Sequence, residues 1–145
     1  MDNLKEIVGF LQRVPLFQGL KNSQKELLAK RFVERDYAAD AKIVIQGKGG
    51  EGFFIIVKGH ADAYRSRSDG NEVLVNSFDA TDYFGELALL DEEGLRTATV
   101  VTTEPTKCLV LIRWDFISLL KEDNEMAISI LTELTRRFER LLDTM

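Results

Sequence analysis

The chain has 145 residues, 45% of them hydrophobic and 30% charged, with a formal net charge of −5. That length suffices for one domain burying roughly 68–70% of the unfolded chain's surface, and the acidic balance argues against a nucleic-acid surface, which shows as a basic patch. No apolar run approaches the about 18 residues of a membrane span, the N-terminus lacks the basic-then-apolar order of a secretory signal, and the one cysteine, Cys108, can neither close an internal disulfide nor hold a metal alone, so a reduced, cytoplasmic protein is expected.

Residues 1–36 read as helical. In LKEIVGFLQRV, Leu4, Ile7, Val8 and Leu11 share a face, and Pro15 ends the run. Ser23 and Glu26 form a capping-box pattern ahead of Leu27, Leu28 and Phe32. Residues 37–113 read as β. The segments KIVIQ, FFIIV, ADAYRS, EVLVNSF, TATVV and KCLVLI are short, rich in Val, Ile, Thr and aromatics, and divided by turn signals. Gly47 to Gly52 is a glycine-dense turn, and Asp69-Gly70 suits a two-residue hairpin loop. His60, in KGHADAY, is expected at a strand edge rather than as a ligand, and Cys108, in CLVLI, as a buried inert thiol. Residues 114–145 are helical again. There Ala127, Leu131, Leu134, Phe138, Leu141 and Met145 follow spacings of 4, 3, 4, 3 and 4. That stripe serves either an a/d seam with a second copy or a helix laid on its own domain, and Ile128 and Ile130 add apolar surface beside it. The sum is one small sandwich or barrel flanked by helices.

The stretch YFGELALLDEEGLRTATV, Tyr83 to Val100, does not read as scaffold. GELALL has the length of one or two helical turns, and the amides from Gly85 to Ala88 begin it. Such amides have no acceptor within the helix and suit an anion. Gly85 lets backbone approach a ligand closely. Glu86 would repel a bare anion but accepts from a hydroxyl, and Arg96 supplies the fork that matches phosphate. A phosphate fused to a sugar with a free hydroxyl fits all three groups. Asp91, Glu92 and Glu93 read as a solvated loop.

FGELALL followed by RTATV resembles the phosphate-binding cassette of the cyclic-nucleotide-binding domain family. The resemblance extends over roughly Phe10 to Phe138, through VPLFQGL and through GKGGEGFFIIVKGHADAY with Gly47, Gly50 and Gly59 in register. It implies a jelly-roll β-barrel (a double-stranded β-helix), mainly β with flanking α. N-terminal helices would occupy 1–36, the barrel 37–113 with its cassette at 84–98, and a long C-terminal helix the end of 114–145. It further implies a non-catalytic cAMP or cGMP sensor, with no catalytic residue, metal or cofactor. Glu86 would hold the ribose 2′-hydroxyl and Arg96 the cyclic phosphate, with the amides around Leu87 and Ala88 completing the cradle. Gly85 would allow close approach, and Thr97 would lie near phosphate and base, where a hydroxyl serves guanine. Phe84, Val75 and Phe78 would line the site, and Arg137 and Leu141 would approach the base from the long helix.

The chain departs from that family's pattern in three places. Thr81 replaces the glycine usual before DYFGE, so that turn either avoids positive φ or carries strain. Leu95 replaces a proline common before the arginine. The polar residues with which one member's long helix contacts adenine fall near Leu141 and Leu142, which allows an apolar cap but no hydrogen bonds. A metal-dependent jelly-roll enzyme would need several histidines, and this chain has one. No helix-turn-helix pattern follows the long helix before Met145, so neither DNA nor membrane is expected as a partner of this chain alone. The expected partners are a cyclic mononucleotide and a second copy docked through Ala127, Leu131, Leu134, Phe138 and Leu141. The alternative is a ligand-free interaction module of the same fold, with Glu86 and Arg96 paired to each other.

Overall fold

The computed structural model describes residues 4–49, 52–91 and 96–145. Two compact units result: residues up to 31 together with those from 114 onward, and residues 32–113.

The helical unit holds α1 (Leu4–Leu11), α2 (Asn22–Ala29), α3 (Arg113–Glu122) and α4 (Asn124–Asp143), with a 3₁₀ turn at Pro15–Phe17. α1 buries Ile7, Phe10 and Leu11; of the expected face, Ile7 and Leu11 are buried and Val8 half-buried, while Leu4 is exposed and Phe10 turns inward instead. Phe17 meets Phe116 edge-on at 6.0 Å. The cap of α2 falls on Lys21 rather than Ser23, because Gln24 reaches back to accept from the Lys21 N–H at 2.9 Å. Asp123 caps α4. The Met126 N–H (3.1 Å) and then Gln24 Nε2 (3.1 Å) donate to its carboxylate and hold it below the usual carboxylate range. α4 buries Met126, Ile130 and Glu133. The expected seam lies beside that stripe: Leu131, Phe138 and Leu141 are 62%, 61% and 63% exposed.

The β unit is a jelly roll of two four-stranded antiparallel sheets. One has the order β1 (Val33–Tyr37), β8 (Thr106–Ile112), β3 (Gly52–Lys58), β6 (Tyr83–Phe84). The other has the order β2 (Lys42–Val44), β7 (Thr99–Thr102), β4 (His60–Ser66), β5 (Glu72–Asp79). Alternate residues of both sheets meet in one core, among them Phe54, Ile56, Ala61, Phe78, Val100 and Val110. Cys108 sits in that core. Burial, with a contribution from Asp36, pushes its thiol up to about 12, the inert thiol expected.

Among the described residues eight strands form where six or more are expected, and two of them lie outside the segments singled out in the sequence. β1 starts at Val33, inside the stretch read as helical to 36. Its Glu-Arg-Asp centre hides an edge strand that pairs with β8 from Val33↔Val110 to Tyr37↔Thr106. β6 is two residues long and defined only by pairing with Phe54 and Ile55. The β4–β5 connection runs over residues 67–71, with the three residues 68–70 beyond the Arg67–Asn71 bond rather than a two-residue turn. The Gly70 N–H closes a turn on the Arg67 carbonyl at 3.0 Å, Gly70 is left-handed (φ 87°), and the Arg67 N–H donates to the Asn71 carbonyl at 2.8 Å. Farther along, Ala63 pairs with Asn76 and Tyr64 with Leu74, which leaves Val75 as a bulge.

Thr81 does carry strain: its φ is 79°, in the left-handed region that a β-branched residue avoids. β3 holds it there. The Thr81 N–H donates to the Ile56 carbonyl at 2.8 Å, and the Ile56 N–H to the Asp82 carbonyl at 2.9 Å. Thr81→Gly should therefore raise stability by about 0.5–1 kcal/mol, strain relief exceeding the entropy glycine adds to the unfolded chain. Urea unfolding checks this: the midpoint should rise with unchanged slope, and a midpoint that falls would contradict the account.

Candidate ligand-binding site

One cavity of about 530 Å³ opens in the β unit, within the range of small-molecule sites. Its apolar walls are the buried core residues Val44, Ala63, Phe78 and Val100, with the partly buried Phe84 packed against them. One wall is different: Gly85, Glu86, Leu87, Ala88, Arg96 and Thr97 face the cavity together.

Arg96 is placed by backbone. Its N–H donates to the Lys48 carbonyl at 3.0 Å, and its carbonyl accepts from the Gly47 N–H at 2.8 Å. The glycine-dense turn between β2 and β3 thus fixes where the arginine enters. Its side chain runs to the Gly52 carbonyl, to which Nη2 donates at 2.5 Å, and passes 5.8 Å from the centre of the Phe54 ring. Phe54 in turn stacks on Phe84 at 5.0 Å and 8°, and Phe84 meets Phe78 in a tilted contact at 5.0 Å and 37°. A column of three rings therefore backs the guanidinium.

Glu86 opens a 3₁₀ turn, Glu86–Leu89, whose preceding residue Gly85 is left-handed (φ 86°). A Cβ at position 85 would run into Arg96 Nη1 and stand 2.7 Å from the Gly52 carbonyl oxygen. Only glycine permits this turn and this arginine together. Within the turn the Ala88 N–H donates to the Gly85 carbonyl at 3.0 Å, so the amides of Glu86 and Leu87 are the ones lying ahead of the turn's own bonds. Glu86 is half-buried, Leu87 exposed and Ala88 buried.

Of the sequence-predicted site residues, the structure brings Gly85, Glu86, Leu87, Ala88, Arg96, Thr97, Phe84, Val75 and Phe78 to this one cavity. Arg137 and Leu141 are carried by α4 in the helical unit. Glu92, Glu93 and Leu95 of the acidic loop, and Gly50, lie outside the described residues. The sequence reading missed Arg65 and Asn76, which also line the cavity, while Asp91, read as loop, lines it too. Alternation along ADAYRS, with Ala61 and Ala63 inward, signals an inward Arg65. The bulge at Val75, which turns both Val75 and Asn76 to the cavity, leaves no such signal. Arg65 Nε donates to the Thr97 carbonyl at 3.2 Å and so ties β4 to the segment that follows Arg96.

The chain matches the family model described as the cyclic nucleotide-binding domain over residues 34–123. It is 36% identical over 112 residues to a cAMP-dependent protein kinase regulatory subunit of Aspergillus niger, covering 77% of this chain and 26% of that protein. It is 32% identical over 123 residues to the cyclic AMP receptor protein of Thermus thermophilus, covering 85% of this chain and 56% of that protein. The chain thus spans about half, or less, of the curated relatives it matches. Among solved structures it is similar to the N-terminal domain of a transcriptional regulator from Streptomyces coelicolor (TM-score 0.82, 27% identity, 93% of this chain and 94% of that one). It is also similar to the regulatory domain of Toxoplasma gondii protein kinase A, solved with cAMP (TM-score 0.72, 28% identity, 94% and 50%). The chain belongs to the cyclic nucleotide-binding domain family.

Gly85→Ala should destabilise the protein by about 2 kcal/mol, since it combines a strained φ with displacement of Arg96. Denaturant unfolding reads this directly. A variant as stable as the wild type would mean that the turn re-forms without left-handed backbone.

Proposed function

We propose that this chain is a non-catalytic sensor domain for a cyclic mononucleotide, cAMP or cGMP, held in the β-unit cavity. The observation that carries the reading is the wall on which Glu86 and Arg96 face one apolar cavity across a glycine that no other residue can replace. Arg96 takes the cyclic phosphate through its fork, Glu86 accepts from the ribose hydroxyl, and the amides of Glu86 and Leu87 flank the phosphate, since the Ala88 N–H expected there is bonded to the Gly85 carbonyl. Phe84, Val75 and Phe78 contact the apolar faces of sugar and base. Thr97 offers its hydroxyl to the base. The names of relatives and the cAMP-bound neighbour support this choice of ligand. No metal or cofactor takes part, and the chain alone binds neither nucleic acid nor membrane. A cytoplasmic location suits that role, and among the described residues no helix is long and apolar enough to cross a membrane.

The output is α4. Binding draws that helix toward the base, with Leu141 as an apolar cap and Arg137 beside it, to the extent that the ligand prefers the closed arrangement. The exposed stripe of Leu131, Phe138 and Leu141, with Ala127 and Leu134, is the surface on which a second copy docks.

Calorimetric titration with cAMP and cGMP tests the site. The wild type should bind at least one. Arg96→Ala should keep the fold and lose about 2–5 kcal/mol, more than about tenfold in affinity. Unchanged affinity in the folded variant, or a wild type that binds neither nucleotide, would leave the ligand-free interaction module as the better reading. For the helix, Leu134→Glu sets like charges against each other across a two-fold interface. Sedimentation should show a concentration-dependent dimer that this substitution converts to monomer, with nucleotide affinity changed alongside. A wild type monomeric at every concentration would refute the interface.

A further inference from the structure

His60, the chain's single histidine, opens β4 with both ring nitrogens against carboxylates. Nδ1 lies 2.7 Å from Asp79 Oδ1 on β5, and Nε2 lies 2.8 Å from Asp62 Oδ1 on β4. Asp62 Oδ1 also accepts from Ser77 Oγ at 2.7 Å. An ionised carboxylate only accepts, and a neutral imidazole has one N–H to give. Both contacts are satisfied together only by the imidazolium. The bonds to Asp79 and then Asp62 accordingly raise His60 above its ordinary value, while Ser77, then His60, hold Asp62 below its own, with Tyr64 adding to the effect. The β7–β8 turn meets His60 through uncharged groups: the Thr103 N–H (2.9 Å) and the Thr103 and Thr106 hydroxyls (both 3.4 Å) donate to its carbonyl.

Asp79 ends β5 and begins the turn that leads into the ligand-site wall. Its N–H donates to Asp82 Oδ2 at 2.8 Å, and its carbonyl accepts from the Asp82 N–H at 2.9 Å. Strained Thr81 lies between them, and Tyr83–Phe84 then carries the chain straight to Gly85 and Glu86. The imidazole therefore grips one end of a tight turn whose other end places the wall.

We propose that His60 is a positioning residue for the ligand site: as an imidazolium bridging Asp62 and Asp79 it pins the turn 79–82 and so sets where Gly85 and Glu86 stand. This rests on the cyclic-nucleotide reading of that site. Because folding raises the imidazole's value, the pin is fully present below the ordinary 6.5 and is lost as pH rises through the folded value. Asp79 is 77% exposed at its side chain, so water weakens the pair. The expected effect on affinity is about two- to fivefold.

With one histidine in the chain, NMR reads its imidazole without ambiguity. In protein without nucleotide, the ring signals and the amides of Gly85 and Glu86 should titrate with one shared midpoint above 6.5 between about pH 5.5 and about pH 9. In His60→Gln those amides should lose that transition. Asp79→Asn, which keeps the shape, should lower the imidazole midpoint and shrink the amide shifts. Calorimetry should then show cAMP or cGMP bound about two- to fivefold more tightly at the acidic end by the wild type, and equally at both ends by His60→Gln. An imidazole midpoint at or below 6.5, or amides of Gly85 and Glu86 that ignore it, would overturn the proposal. So would a pH dependence of affinity that survives His60→Gln. Failure to bind either nucleotide at any pH would sink the sensor reading, while the amide titration would still decide whether His60 positions the wall.

Discussion

Arg96 occupies the space in which any residue other than glycine at position 85 would place its side chain. That single exclusion organises one wall of the β unit's cavity. It requires left-handed backbone at Gly85, which starts the 3₁₀ turn and aims Glu86 at the cavity. It requires β3 to offer the Gly52 carbonyl rather than a side chain, and the ring of Phe54 as a backing surface. It requires the turn at Gly47–Lys48 to hold the arginine's own backbone by two hydrogen bonds. Segments about fifty residues apart along the chain thus meet at one guanidinium. A partly buried cation is tolerated only where hydrogen bonds or a π face replace water, and the Gly52 carbonyl and the Phe54 ring supply both.

Much of this was legible in the sequence because the signals are local. Gly85, Glu86 and Arg96 were readable from residue chemistry and spacing, and the apolar strands announced themselves by composition. What escaped depended on pairing. β1 is Val-Glu-Arg-Asp-Tyr, a charged edge strand recognisable only beside β8. β6 exists because Phe84 and Tyr83 sit opposite Phe54 and Ile55. The bulge at Val75 brings Asn76 and Val75 to the same cavity, and a period-2 reading cannot place two successive residues on one face. The α2 cap moved from Ser23 to Lys21 because Gln24 satisfies the same amide problem two residues before Glu26. At Thr81 the sequence posed the alternatives, and β3's two hydrogen bonds decided for strain.

The long helix shows how two stripes share one amphipathic element. Its buried stripe, Met126, Ile130 and Glu133, is not the stripe that heptad counting selects. Glu133 is tolerated there because Arg136 Nη1 pairs with it at 2.7 Å. Gly19 leaves room, since a Cβ there would meet Ser129 Oγ at 2.8 Å and approach Glu133 Oε1 to 3.5 Å. With a polar group accepted on the inner face, the apolar surface at Leu131, Phe138 and Leu141 is surplus to the unit's own packing. These three side chains, each more than half exposed, are the ones on which the proposed docking of a second copy rests.

The proposed anion site must work on a chain of net charge −5. The overall field of such a chain repels an anion, but salt screens it beyond about 8 Å under physiological conditions. Attraction must therefore be local. Inside a partly apolar cavity the effective dielectric constant falls from that of water toward about 20, so charges lining the cavity outweigh distant ones. Glu86 and Asp91 line that cavity with Arg96 and Arg65, two carboxylates against two guanidinium groups, so the charged lining sums to about zero. On the proposed reading, a molecule that carries both an anionic group and hydroxyls offers a partner to each kind of charge, and the left-handed glycine between Phe84 and Glu86 keeps Glu86 and Arg96 on that one wall.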